Sequence, residues 1–115
     1  DTLTHFEFNK AELTDAGRAA LDAWLGHLPA GLRVRVTGHA DRFGPERYNM
    51  ALSRRRAESV MRYLSGKGMK AEDVMVFAKG ESQPLVTCQG GPTPETKACL
   101  APNRRVEIAA ETGRG

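Results

Sequence analysis

The chain has 115 residues, room for one domain with one hydrophobic core and not for two. Its hydrophobic fraction of 40% and charged fraction of 27% are those of an ordinary globular protein, and no apolar run approaches the roughly 20 residues that cross a bilayer as a helix. A net charge of +3 is a mild excess, compatible with nucleic acid, with an anionic polymer or with neither.

Asp1-Thr2-Leu3-Thr4 has neither a basic nor an apolar signal region, so no signal peptide is expected in this stretch. From Thr2 to Phe8, Leu3, His5 and Glu7 alternate with Thr4, Phe6 and Phe8, which predicts a strand. Thr14 is placed to cap a helix with Asp15 in its first turn, and Leu21, Trp24, Leu25 and Leu28 form its apolar stripe, with Trp24 in the core. Pro29-Ala30-Gly31 stops it. Leu32 to Thr37 alternates as a strand with Leu32, Val34 and Val36 inward, and Gly38 to Gly44 is the loop at its carboxyl end. Pro45 suits the first position of a second helix, which runs to about Ser65 on a buried stripe of Ala57, Val60, Met61 and Leu64 and ends at Gly66 and Gly68. Val74 to Ala78 is a third strand, Gly80 to Pro102 a long loop with one helical turn at Glu95–Leu100, and Arg104 to Ala110 the last strand. The order β-α-β-α-β-(loop/short helix)-β implies a two-layer α/β sandwich whose right-handed crossovers make part of the sheet parallel. Residues 1–111 are expected to form the domain and Thr112–Gly115 a flexible tail.

In such a fold ligands sit off the carboxyl ends of the strands. That singles out Asp41 in the loop after the second strand and the helix that follows. Asn49 and Arg56 are seven residues apart, so they lie about 20° from each other on one helix face, with Leu52 and Ser53 between them. Asp41 and Arg56 would offer opposite charges to one place. A zwitterionic amino-acid group fits them, the guanidinium taking its carboxylate and Asp41 its ammonium, with Asn49 able to donate or accept. A plain Asp41–Arg56 ion pair fits equally well. If the pair grips a ligand, Asp41→Ala or Arg56→Ala should lose binding while leaving the fold intact.

Arg54 and Arg55 point away from Arg56 on the helix, and with 6% aromatic residues there is no stacking platform, so nucleic acid is not an expected partner. His5, His27 and His39 lack ligand spacing, and Ser53 lacks a nucleophile-elbow context and a partner base; no enzyme, metal or cofactor is expected. His39 reads as a neutral, hydrogen-bonded loop histidine. Cys88 and Cys99 flank a stretch rich in turn formers, which suits one local disulfide in an oxidising compartment or two free thiols in a reducing one.

Thr37-Gly38-His39-Ala40-Asp41-Arg42-Phe43-Gly44, then Tyr48-Asn49 and Leu52-Ser53-Arg54-Arg55-Arg56-Ala57, resemble the signature of the OmpA-like domain family. Phe6-Glu7-Phe8-Asn9-Lys10-Ala11, Gly80-Glu81-Ser82-Gln83-Pro84 and Asn103-Arg104-Arg105-Val106-Glu107-Ile108 extend the resemblance over nearly the whole chain. The resemblance implies a mixed four-stranded sheet and non-covalent binding of peptidoglycan. Asp41 and Arg56 would grip the diaminopimelate of the stem peptide and Asn49 would assist. Phe8, Asn9, Gly38, Ala40, Leu52, Ser53 and Arg105 would be secondary contacts. Ala40 departs from the threonine of many relatives. The Cys pair followed by Leu100-Ala101-Pro102-Asn103 is similar to the porin-like members. That implies a Cys88–Cys99 disulfide, a periplasmic domain, and an outer-membrane β-barrel outside this sequence as the only link to a membrane. A periplasmic protein-interaction domain with a purely structural Asp41–Arg56 pair is the alternative.

Overall fold

Alternation in the second strand builds the sheet: Val34 and Val36 are fully buried while Arg33 and Arg35 stay exposed. A computed structural model describes residues 1–29 and 31–111. Among them the order is β1 (Thr2–His5), α1 (Asp15–Gly26), β2 (Arg33–Gly38), α2 (Glu46–Gly66), β3 (Val74–Ala78), α3 (Pro94–Cys99) and β4 (Arg105–Glu111). Single 3-10 turns at Ala71–Asp73 and Ala101–Asn103 precede β3 and β4. The sheet order is β1-β4-β2-β3, antiparallel at β1/β4 and β4/β2 and parallel at β2/β3, so the expected mixed sheet is present. β4 inserts between β1 and β2, splitting the first β-α-β unit.

Val34, Val36, Val74, Val106 and Ile108 point from the sheet into one core with Phe6 and Leu21, and α2 closes it with Ala57, Val60 and Leu64. Each such aliphatic side chain contributes about 1.5–3 kcal/mol when fully buried, several times an exposed ion pair, so these stripes set the layer arrangement. Trp24 is only half-buried and packs on the edge of that core rather than within it. The Thr14 hydroxyl caps α1, accepting from the Gly17 N–H at 2.9 Å. Gly38 lets β2 touch α2: a Cβ there would lie 1.9 Å from the Ser53 carbonyl oxygen.

Several boundaries differ from those read in the sequence. β2 and β4 each sit one residue later than expected, which leaves Leu32 half-buried outside β2. β1 ends at His5 rather than Phe8, because a turn at 7–10, with Asn9 at φ 60°, takes the chain out of the sheet after Phe6. Pro45 caps α2 from outside instead of occupying its first position; its ψ of 148° is extended, and its carbonyl accepts the Asn49 N–H at 3.0 Å. β3 matches its predicted range, and the helical turn foreseen at 95–100 is α3. The flexible tail expected at 112–115, and Ala30 of the predicted helix stop, lie outside the described residues. No helix among the described residues is long and apolar enough to cross a membrane.

Candidate functional site

Three charged side chains meet where the loop after β2, the start of β4 and the middle of α2 converge. Arg56, on the inner face of α2, is fully buried. Its guanidinium donates from Nε to the Lys10 carbonyl at 2.8 Å, from Nη1 to the His39 carbonyl at 3.0 Å and from Nη2 to the Glu7 carbonyl at 3.2 Å. It also lies 5.5 Å from the Phe6 ring centroid. Burial pushes its pKa down to about 10, with Asp41 opposing the shift and Arg104 adding to it, so Arg56 stays cationic at neutral pH.

Asp41 does not pair directly with Arg56. One carboxylate oxygen accepts the Phe43 N–H at 3.1 Å and the other accepts from Arg104 Nη1 at 3.3 Å. Arg104 also donates from Nε to the Phe6 carbonyl at 3.0 Å and from Nη1 to the Lys97 carbonyl at 2.9 Å. Thus one carboxylate serves two buried guanidiniums, and the cluster carries a net positive charge. The direct Asp41–Arg56 bridge gives way to an Asp41–Arg104 bridge because two carbonyls of the 7–10 turn and that of His39 take the Arg56 guanidinium first.

Arg104 was legible in principle. The parity that turns Val106 and Ile108 inward puts residue 104 on the same side of β4 and Arg105 on the other. Arg105 accordingly lies away from Asp41, donating to Glu107 at 2.8 Å and to the Gln83 carbonyl at 3.1 Å. His39, also fully buried, shares Glu107 through Nε2 at 3.2 Å. Burial and the neighbouring Arg105 charge hold its pKa below the usual histidine value, which fits the neutral histidine expected there.

The other expected contacts separate into supports and walls. Asn49 is buried and donates to Glu81 at 2.7 Å, tying α2 to the loop after β3. Ser53 is consumed by the Met50 carbonyl and the Gly80 N–H, and Gly38 is packed against its backbone, so neither faces a ligand. Ala40 is buried, with its N–H on the Gly80 carbonyl at 2.9 Å. Phe8 is half-buried and outside the core cluster: its ring meets Phe43 edge-on at 6.2 Å and the Lys97 ammonium at 4.1 Å. Asn9 is exposed and accepts from the Tyr48 hydroxyl, and Leu52 lines the adjoining groove. Phe43 and Lys97 carry no spacing signal; only the fold brings them to Phe8.

Cys88 and Cys99 are bonded, with Cα atoms 6.3 Å apart across a sequence separation of 11. Closing that loop contributes roughly 2–3 kcal/mol by chain entropy. Arg42 fastens it to the site, donating to the Cys88 carbonyl at 2.8 Å and the Gly90 carbonyl at 2.6 Å.

This is a two-layer α/β domain with a buried, charge-unbalanced cluster of two arginines and one aspartate beside the Phe8–Phe43 ring pair. The chain belongs to the OmpA family, whose profile matches residues 5–97. It is 44% identical over 110 residues to outer membrane protein A of Escherichia fergusonii, covering 90% of this chain and 45% of that protein. The corresponding protein of Yersinia pseudotuberculosis is 43% identical, with 90% of this chain and 31% of that protein covered. The chain thus spans less than half the length of these relatives. Among solved structures, the peptidoglycan-associated lipoprotein of Burkholderia pseudomallei superposes with a TM-score of 0.83 at 25% identity, over 96% of this chain and 91% of that one. The C-terminal domain of Helicobacter pylori MotB does so at 0.71 and 20% identity, over 99% and 87%, a likeness of fold alone. The matched proteins are outer-membrane and peptidoglycan-associated proteins, not enzymes.

Proposed function

We propose that the domain binds peptidoglycan non-covalently through the diaminopimelate of the stem peptide and so anchors an outer-membrane protein to the cell wall. The observation that carries this reading is the cluster of Arg56 and Arg104 around the single carboxylate of Asp41. A ligand carboxylate supplies the missing negative charge, and Asp41 gives an ammonium its partner. One zwitterionic amino-acid head meets both needs. Arg104 donates through Nε and Nη1 only, among the described residues, which leaves its Nη2 for the ligand. Arg56 contributes its field and the shape of the 7–10 turn, and touches the ligand only if that turn yields. Phe8, Phe43 and Lys97 form the entrance.

The experiment is an NMR titration of the domain with free meso-diaminopimelate. Shifts should concentrate in the Gly38–Gly44 loop, at Phe8 and at Arg104. Asp41→Asn keeps the shape and removes the charge; it should weaken diaminopimelate and sacculus binding at least tenfold, the value of one charge-assisted hydrogen bond of roughly 1.5–3 kcal/mol. Unchanged binding by Asp41→Asn would remove Asp41 from the site. The Asp41–Arg104 bridge favours a second reading, in which the cluster is structural and the domain docks a periplasmic protein. In that case Asp41→Asn lowers the melting temperature and diaminopimelate never raises it.

A further inference from the structure

Beside the proposed entrance, a groove of about 370 Å³ runs between the 9–12 segment and the outer face of α2. Asn9, Glu12, Leu52, Arg55, Glu58 and Arg62 line it. Arg55 and Arg62 are seven residues apart, so both project into it within about 20° of one another. The Arg55 guanidinium lies 5.8 Å over the Tyr48 ring, and Arg62 donates to the Ser59 hydroxyl at 3.3 Å. Neither forms an ion pair among the described residues, although Glu12 and Glu58 line the same groove. The opposite wall is fixed: Ser59 donates to the Ala11 carbonyl at 2.6 Å, and Tyr48 holds Asn9. The groove is therefore formed before any ligand arrives, which limits the ordering cost of binding.

α2 carries five arginines against two glutamates, an excess equal to the net charge of +3 of the whole chain. Only Arg56 among those arginines is buried; of the four exposed ones Arg55 and Arg62 line the groove, where Glu12 and Glu58 balance their charge, and Arg47 and Arg54 lie outside it. A polyanion such as nucleic acid would meet the carboxylates of Glu12 and Glu58. A peptide that bears one carboxylate and several backbone N–H groups satisfies both signs. Asn9, next to Phe8 in the chain, brings one end of the groove toward the proposed entrance.

We infer that this groove is a second subsite, in which Arg55 and Arg62 receive the free carboxylate of the acidic residue linked to the diamino acid of the stem peptide. The inference rests on the function proposed above and adds the substrate class it prefers: an acidic stem peptide over its amidated form. The two guanidiniums bind the carboxylate while Glu12 and Glu58 accept peptide N–H groups.

The test compares three probes by calorimetry and NMR: free meso-diaminopimelate, the tripeptide L-alanyl-γ-D-glutamyl-meso-diaminopimelate, and the same tripeptide with its glutamyl carboxylate amidated. Wild type should bind the acidic tripeptide about fivefold tighter than the amidated one, as two exposed charge contacts warrant, and the gain should shrink at about 0.5 M salt. Arg55→Gln/Arg62→Gln should erase that gain, with free diaminopimelate binding and melting temperature unchanged. Equal preference in wild type and variant overturns the inference while leaving the diaminopimelate site standing. If free diaminopimelate produces no shift at all, the function proposed above fails instead. The groove then stands only if the acidic tripeptide still moves the Arg55 and Arg62 Nε–H signals, and falls if it does not.

Discussion

Arg56 shows how a side chain proposed for ligand binding can be committed to structure. Three backbone carbonyls from two segments, 7–10 and His39, end on its guanidinium, and it has no exposed surface. The expectation that Arg56→Ala leaves the fold intact therefore does not suit this geometry. Truncation should cost about 2–4 kcal/mol, since three buried acceptors lose a charged donor. Arg56→Lys should recover only part of that, because an ammonium cannot fork toward three carbonyls. Thermal denaturation of the two variants checks both statements; an Arg56→Ala protein as stable as wild type would contradict the assigned role. Loss of wall binding by Arg56→Ala would then reflect the turn as much as the ligand, which makes Asp41→Asn the cleaner probe.

Among the elements, the contact of β2 with α2 places the site. Asp41 follows β2 by three residues and Arg56 lies almost three turns into α2, so the closeness of these elements sets their separation. Gly38 permits that closeness. Gly38→Ala puts a methyl into the Ser53 carbonyl, and backbone cannot step aside as a flexible side chain does. The substitution should destabilise by about 2 kcal/mol or more and displace the Gly38–Gly44 loop, visible as widespread amide shifts around Asp41. α3 and its disulfide brace the same loop from the other side, through Arg42 and through the Lys97 carbonyl on Arg104.

At the scale of the whole molecule, stability should depend on pH through His39. Its folded pKa lies below the unfolded value near 6.5, first because it is buried and then because of Arg105, with Glu107 opposing and Lys79 adding weakly. Below about 6.5 the unfolded chain therefore binds a proton that the folded chain resists, and stability falls as pH drops, by at most about 1.4 kcal/mol per pH unit. Glu107 is itself held below its usual value: the Arg105 and His39 contacts together outweigh burial, which acts the other way, so it stays ionised in this window. Melting temperatures from pH 7.5 to 5 should decline, and His39→Gln, which keeps an N–H for Glu107, should flatten the decline. The layer order, all seven elements and the inward stripes were legible because periods of two and 3.6 residues report burial directly. The same parity on β4 separates Arg104 from Arg105. Local pattern determined which residues are buried and which charges lie near the strand ends. Only the tertiary structure decided that Asp41 pairs with Arg104, that Arg56 turns to the 7–10 carbonyls, and that Phe8, Phe43 and Lys97 meet. A charged group's partner is whichever donor or acceptor the packed chain brings within reach, and the segments that compete here lie up to 98 residues apart.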